Sequence, residues 1–268
     1  MSFTPQHVVG LPRHYGFTFT GMTGTVVDMV SAPADPTTPG AWVEIIPALP
    51  FDTQAVEVQL TMHADSEDSG RWWLGIGPGG SERVVGSFLP FTFGGSGTHR
   101  AYLPWGLPSG SRVAVAGHIN STNNPRVSIR VWPRDPSLPA PPQRWRGTYT
   151  GPVWNYGTDV PTGLESYDAW TQLISSTPWP VRMLAQTGAG TGGGGSRRQG
   201  AAQIAVGAGG SERIVFDYGP GGSSYWGTTS ASNLTVTPIP LLPAGVRLSI
   251  RSAGVVAGPG KANLLIGG

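Results

Sequence analysis

The chain contains the stretch Ile76-Gly77-Pro78-Gly79-Gly80-Ser81-Glu82-Arg83-Val84-Val85 and repeats it, 130 positions later, as Val206-Gly207-Ala208-Gly209-Gly210-Ser211-Glu212-Arg213-Ile214-Val215. In each copy, large apolar residues two positions apart precede the glycines, and a β-branched pair follows them. This pattern predicts a strand, a tight turn and a second strand. The glycine pairs, Gly79-Gly80 and Gly209-Gly210, supply the turn, because glycine adopts a positive φ at little cost.

A second pair of matching stretches lies downstream. Leu107-Pro108-Ser109-Gly110-Ser111-Arg112-Val113 corresponds to Leu242-Pro243-Ala244-Gly245-Val246-Arg247-Leu248, 135 positions later. Pro108 and Pro243 preset φ, and Gly110 and Gly245 take the strained position of a turn into a strand. Two further matches keep the same order along the chain, Trp42-Val43-Glu44-Ile45 with Trp170-Thr171-Gln172-Leu173, and Arg126-Val127-Ser128-Ile129 with Lys261-Ala262-Asn263-Leu264. The sequence therefore indicates a tandem duplication.

The duplication predicts two domains joined by a short linker. Residues 1–131 form the first β-sandwich domain, residues 132–146 the proline-rich linker, and residues 147–268 the second domain. The linker prolines fix φ and favour an extended, semi-rigid spacer.

Short apolar stretches between turn signals indicate strands, as in Val56-Glu57-Val58-Gln59-Leu60 and Val246-Arg247-Leu248-Ser249-Ile250. No window of a dozen residues shows a helical stripe that lacks Gly or Pro. We therefore expect an all-β chain of two tandem antiparallel β-sandwiches, with the jelly roll as first choice of topology and an immunoglobulin-like arrangement as second.

The composition supports a folded chain. Gly (41) and Pro (26) make up about a quarter of the 268 residues, which predicts many turns. Hydrophobic residues reach 38% and charged residues only 12%, so there is apolar surface to bury and little repulsion. The chain has no cysteine, which excludes disulfides and thiolate chemistry. Basic residues are scattered, and no apolar window approaches a membrane span, so neither nucleic acid nor membrane insertion is expected.

The sequence shows no pattern that predicts catalysis, a cofactor or a metal. Gly188-Ala189-Gly190-Thr191-Gly192-Gly193 formally fits a dinucleotide-binding motif, but no helix follows it. The five histidines lack metal-ligand spacing. Glu82 and Glu212 occupy equivalent turns in separate copies, which fits a structural role better than an acid and a base that face one substrate. We therefore expect a protein that is not an enzyme and that has no cofactor or metal.

Three tryptophans are the candidate binding residues. Trp73 is predicted to lie on the strand face opposite Leu74 and to point outward, with Gln203 as its counterpart in the second copy. Trp105 and Trp226 lie beside Gly or Pro turns. Each can be an anchor in a subunit interface, a platform for a sugar ring, or a side chain packed beneath a loop.

The second copy resembles a known type of module. A strand, then Gly-Ala-Gly-Gly-Ser-Glu at 207–212, then a β-branched strand, and later Pro243-Ala244-Gly245-Val246-Arg247-Leu248, resembles the small β-sandwich modules of tailed-bacteriophage virion proteins. The resemblance covers residues 42–131 and 170–266. In the first copy, Ser109 stands at the position that corresponds to Ala244. It implies a structural subunit of a head, tail, baseplate or fibre, with no catalytic residues to carry over.

Three functions follow as expectations. The first is a multi-copy component of a virion, made in the cytoplasm of a bacterial host, that forms a homo-oligomer such as a trimer and contacts other virion proteins. The second is an adhesin module that binds a glycan on the host surface. The third is a capsid shell protein with a double jelly roll.

Overall fold

The computed structural model of the chain describes residues 17–18, 25–26, 30–31, 39–62, 67–94, 97–119, 126–147, 158–164, 166–189, 198–218, 225–226, 235–254 and 258–268. These residues form twenty β-strands and no helix, which confirms the prediction of an all-β chain. The first half carries β1 (Phe17–Thr18), β2 (Thr25–Val26), β3 (Val30–Ser31), β4 (Val43–Ile46), β5 (Thr53–Met62), β6 (Glu67–Ile76), β7 (Arg83–Gly94), β8 (Gly97–Pro104), β9 (Val113–Ile119) and β10 (Arg126–Pro133). The second half carries β11 (Trp145–Gly147), β12 (Thr158–Leu164), β13 (Thr171–Ile174), β14 (Val181–Ala189), β15 (Arg198–Val206), β16 (Arg213–Tyr218), β17 (Tyr225–Trp226), β18 (Thr235–Leu242), β19 (Leu248–Gly254) and β20 (Gly258–Gly267).

The strands of the first half form two sheets. One has the order β2-β10-β5-β8, with β1 also on β10. The other has the order β4-β9-β6-β7, with β3 on β9 in the parallel direction. Strand β2 and the seven strands from β4 to β10 thus distribute between two four-stranded sheets in the order of a jelly roll.

The core of the first half lies between these two sheets. Val58 of β5 and Ile129 of β10 belong to the same buried cluster as Leu74 of β6 and Val115 of β9. Each side chain of this kind contributes roughly 1.5–3 kcal/mol when fully buried. The alternation of apolar residues along each strand therefore places one face of each sheet in the core.

The second half repeats the pairing of the first. Its sheets have the orders β12-β20-β14-β18 and β13-β19-β15-β16. Ile76 pairs with Val113 in the first half, and their counterparts Val206 and Leu248 pair in the second. The hairpins β6–β7 and β15–β16 even share a register irregularity at the equivalent place. The sequence similarity thus corresponds to a similarity in strand pairing.

Strand β11 connects the halves through a continuous sheet. It pairs antiparallel with β20 of the second half and parallel with β7 of the first. In these pairings Trp145 lies opposite Gly267 and Gly86 respectively. The core cluster of the first half also includes Ala185 and Leu265 from the second. The two halves are therefore joined by both hydrogen bonding and packing.

The segment 132–146, predicted as a spacer, is bound to the first half and, through backbone hydrogen bonds from Gln143 onward, also to the second. The backbone N–H of Arg134 donates to the carbonyl of Asp52 (2.7 Å), and the N–H of Gly106 donates to the carbonyl of Pro142 (2.8 Å). Hydrogen bonds thus add to proline stereochemistry in fixing this segment. The domain boundaries at its two ends stay a prediction.

The repeated glycines have the conformation that the turn prediction requires. Gly80 and Gly210 have φ values of 79° and 86°, and Gly110 and Gly245 have values of 75° and 82°. These values lie in the left-handed region that other residues rarely adopt. The two repeated motifs are therefore turns with a specified backbone geometry.

Candidate functional site

A row of polar and aromatic side chains crosses one sheet of the second half. Gln203 of β15 lies opposite Arg251 of β19 on one side and opposite Asp217 of β16 on the other. Trp170 continues the row beyond Arg251, because the next residue, Thr171, pairs with the neighbour of Arg251 on β19. Gln203 alternates along β15 with residues of the buried cluster, so it points away from the core.

Hydrogen bonds connect the members of this row. The Oε1 atom of Gln203 accepts from Nε and Nη2 of Arg251, at 2.8 and 2.6 Å. Its Nε2 atom donates to Oδ2 of Asp217 at 2.8 Å. The hydroxyl of Tyr167 donates to Oδ1 of the same carboxylate at 3.3 Å. The amide of Gln203 therefore links the guanidinium of Arg251 to the carboxylate of Asp217. In the described structure these two groups form no direct ion pair.

Two aromatic rings flank the cation. The Cζ atom of Arg251 lies 4.5 Å from the ring centroid of Trp170 and 4.9 Å from that of Tyr167. Both distances fall within the range of cation–π attraction. Burial, followed by the charge of Asp217, raises the pKa of Tyr167, so its hydroxyl stays protonated and able to donate. We call Tyr167, Trp170, Gln203, Asp217 and Arg251 the aromatic–polar row.

The aromatic–polar row reaches the surface of the described structure. Gln203 is buried at 7% relative exposure, whereas Tyr167, Trp170 and Arg251 are half-buried and Asp217 is exposed. A buried amide thus holds the outer groups in place, while the half-buried rings and guanidinium and the exposed carboxylate reach the surface. This combination can bind a ligand that has both an apolar face and hydroxyl groups.

The equivalent row of the first half has no charged residue. Trp73 of β6 lies opposite Ala116 of β9 and Ser87 of β7, and Trp42 takes the place of Trp170. The Trp42 ring packs against Gly75, where a Cβ atom would lie 2.7 Å from the ring. The two halves have equivalent strand pairing here but different side chains.

Trp73 lies on the predicted face, opposite Leu74, and it is only 4% exposed. Of the three roles considered for it, a packed side chain fits this burial. Strand alternation identifies which face a side chain occupies, but it does not show what packs over that face. Its counterpart Gln203 is likewise buried, beneath the other members of the aromatic–polar row.

Trp105 lies between the halves, fully buried. Its Nε1 donates to the carbonyl of Gln143 at 3.2 Å, and its ring packs on Gly86. Its contacts are thus within the chain, so the structure gives it no surface for a glycan or a second subunit. Trp226 lies in β17, which pairs with β15. Its side chain lies outside the described residues.

The repeated motifs hold a structural ion pair in each half. Nη1 of Arg112 donates to Glu82 at 2.7 Å, and Nη1 of Arg247 donates to Glu212 at 3.1 Å. The same atom of each arginine also donates to a backbone carbonyl in the hairpin turn. The identical Glu and Arg residues of the two copies therefore tie the hairpin to the neighbouring turn, and we call each pair a turn latch.

The aromatic–polar row could not be identified from the sequence. The match of Trp170 with Trp42 indicates the duplication, and the match of Gln203 with Trp73 predicts only that this position faces outward. A signal was present, since polar residues replace apolar ones at outward positions of two strands in the second copy, and an aspartate replaces a serine on a third. Recognising the row required the order of those strands, which sequence alone does not give.

Among the described residues, no group of three or more His, Asp or Glu side chains is placed to hold a metal ion. No helix in the described part of the chain is long and apolar enough to cross a membrane. Comparison with known proteins finds no matching family model and no matching curated relative. Function is therefore inferred from the geometry and from the motif resemblance.

Proposed function

We propose that the chain is a structural subunit of a tailed-bacteriophage particle, used in many copies in a tail, baseplate, fibre or head decoration. Two lines of support combine. The repeated turn motifs resemble those of virion β-sandwich modules, and their Glu–Arg latches are structural in both halves. The two sandwiches are also joined by a shared sheet, which suits a building block that must keep a fixed shape within an assembly.

The observation that carries the proposal is that one of two equivalent strand edges is paired with a further strand and the other is not. In the first half, β11 pairs with the outer edge of β7 at Gly86 and Ser87. In the second half the equivalent strand, β16, pairs only with β15 among the described strands. An uncovered edge is a template for a strand of another chain. The intramolecular contact of β11 with β7 shows how such an edge can be covered.

Exposed apolar side chains accompany these edges. Ile214 of β16 is 44% exposed, and its equivalent Val84 of β7 is 43% exposed. We propose that a second copy of this chain covers β16. Because the contact joins two different surfaces, it is heterologous, and it closes into a ring such as a trimer when the rotation between copies allows it.

A capsid shell protein is the second candidate. The jelly-roll strand order of both halves supports a double-jelly-roll shell as well as it supports a tail or decoration protein. Quantitative mass spectrometry of purified particles separates the two roles, because a shell protein is the most abundant component, whereas a tail or baseplate protein is a minor one. Absence of the chain from purified particles would contradict both the shell role and the tail or decoration role.

The assembly step is tested by measuring the solution mass with light scattering. We expect a defined oligomer for the unmodified chain and a smaller species for Ile214→Lys, because a charge on the β16 edge opposes strand addition. Val84→Lys is the matched control, since it places the same charge at the equivalent position of the strand whose edge already pairs with β11 at the nearby residues 86 and 87. A monomeric unmodified chain, or equal masses for Ile214→Lys and the unmodified chain, would refute assembly through β16.

A further inference from the structure

We propose that the aromatic–polar row of the second half is a binding site for a neutral, hexose-containing glycan. This role is additional to particle assembly and does not rest on it. The site is formed by Trp170 and Tyr167 as apolar surfaces, with Arg251 as hydrogen-bond donor and Asp217 as acceptor. None of these residues is needed to explain the jelly-roll core, which lies on the other face of the sheet.

The chemistry of the row matches that of a sugar. A pyranose ring has an apolar face of C–H groups and a rim of hydroxyls that both donate and accept hydrogen bonds. Trp170 offers a half-buried ring for the apolar face. Beside it stand a guanidinium and a carboxylate, linked through the amide of Gln203, to receive the hydroxyls. A few oriented polar groups next to an aromatic surface are the usual composition of a ligand site.

The row is held in place before any ligand binds. Gln203 is buried and donates to Asp217, while it accepts two hydrogen bonds from Arg251. The guanidinium is further fixed between two rings, at 4.5 and 4.9 Å from their centroids. Ordering these groups costs little on binding, and such preorganisation favours affinity.

The charge balance favours a neutral glycan. One cation and one carboxylate stand in the same row, so the site carries no net charge. An anionic sugar that approached Arg251 would meet the exposed Asp217, whose like charge opposes it. Neutral hydroxyl groups can satisfy both partners at once.

Comparison of the two halves supports a specific role for this face. The turn latches keep the same Glu and Arg residues in both halves. At the row, however, the first half has Trp73 and Ala116 where the second has Gln203 and Arg251. The polar groups are therefore not a requirement of the fold, since the same backbone forms with apolar residues at these positions.

The proposal is tested with the full chain on an array of neutral hexose, amino-sugar and uronate oligosaccharides, followed by titration of the best-bound neutral oligosaccharide. We expect binding to neutral hexose-containing oligosaccharides. Trp170→Ala should weaken the affinity about tenfold or more, because it removes the stacking surface. Asp217→Ala, a change at an exposed residue, should also weaken binding and is the second variant in case Trp170→Ala does not fold.

Trp42→Ala is the matched control, because it removes the equivalent tryptophan from the half that lacks the polar groups. It should retain the affinity of the unmodified chain. No binding to any neutral oligosaccharide, binding to uronates alone, or unchanged affinity in folded Trp170→Ala and Asp217→Ala would each overturn the proposal. These outcomes are independent of the oligomer mass and of the presence of the chain in particles, so failure here leaves the proposed virion role to its own test.

Discussion

The indole ring of Trp105 packs directly over Gly86, at the place where the two halves share a sheet. Gly86 belongs to β7 and lies opposite Trp145 of β11. The two tryptophans are both buried, and each is anchored by a hydrogen bond from its indole N–H, Trp145 to the carbonyl of Pro104 at 2.8 Å and Trp105 to that of Gln143. The absence of a side chain at position 86 is therefore a condition for the close contact between the halves.

Gly86→Ala should weaken the junction. A Cβ atom at this position would overlap the ring of Trp105, which is itself fully buried and cannot move without disturbing its neighbours. Overpacking of this kind costs about 1–3 kcal/mol, and each kcal/mol lowers the Tm by roughly 2–4 °C in a chain of this size. Differential scanning calorimetry measures the change.

Gly79→Ala is the control for this measurement. A Cβ atom at position 79 would make only an ordinary contact, 3.8 Å from the Arg112 guanidinium. Its Tm should stay close to that of the unmodified chain. Equal Tm values for the two variants would show that the contact of Trp105 with Gly86 does not limit stability.

Arg134 should protect the segment between the halves from proteolysis. Its side chain donates to the carbonyl of Asp135 at 2.6 Å and to that of Leu138 at 3.1 Å, and it also contacts Oε1 of Gln54. Arg134→Ala removes these hydrogen bonds and leaves the carbonyls to solvent. We expect faster cleavage between residues 135 and 141 by a protease of broad specificity, because local opening exposes the backbone.

Mass spectrometry of the fragments identifies the cleavage site. Arg146→Ala is a suitable control, because Arg146 is an exposed arginine of the adjacent β11 strand. It should leave the cleavage rate unchanged. A fragment pattern for Arg134→Ala that matches the control would contradict a role for Arg134 in fixing the segment.

Much of the fold could be predicted from the sequence, for local reasons. The glycines at positions 80 and 210 specify turns through their own conformational freedom, and the flanking apolar alternation specifies strands. The contact of β11 with β7 could not be predicted in this way. It depends on two tryptophans that meet across the junction, and nothing near Trp145 in the sequence indicates that it pairs with residue 86.

The candidate site, too, could be predicted only where neighbouring residues in the sequence decide the structure. Gln203 could be assigned to the outer face of its strand, because its neighbours are apolar. Its partners Arg251 and Asp217 come from strands that lie 48 and 14 positions away in the chain. The sequence matched Trp73 to Gln203 but could not show that Trp73 lies between uncharged residues of the neighbouring strands, whereas Gln203 lies between a cation and an anion. The difference in surroundings depends on which strands pair, and those strands are distant in the sequence.

The turn latches predict how stability depends on pH. Burial raises the pKa of Glu82, but hydrogen bonds from Arg112 and from backbone amides outweigh it, so the pKa lies below its usual value. The pKa of Glu212 is lowered in the same way, with Arg247 as the partner. A carboxyl whose folded pKa is lowered stabilises the fold above its unfolded pKa, about 4.3, and this stabilisation is lost as the pH falls through the folded pKa.

We therefore expect the free energy of unfolding to fall as the pH drops below about 4.3. The variant Glu82→Gln, Glu212→Gln cannot bind these protons. It should be less stable than the unmodified chain at pH 7, and its stability should change less between pH 5 and the acid range. Urea unfolding at a series of pH values measures both effects. An unchanged pH slope in the double variant would show that the latches do not govern acid stability.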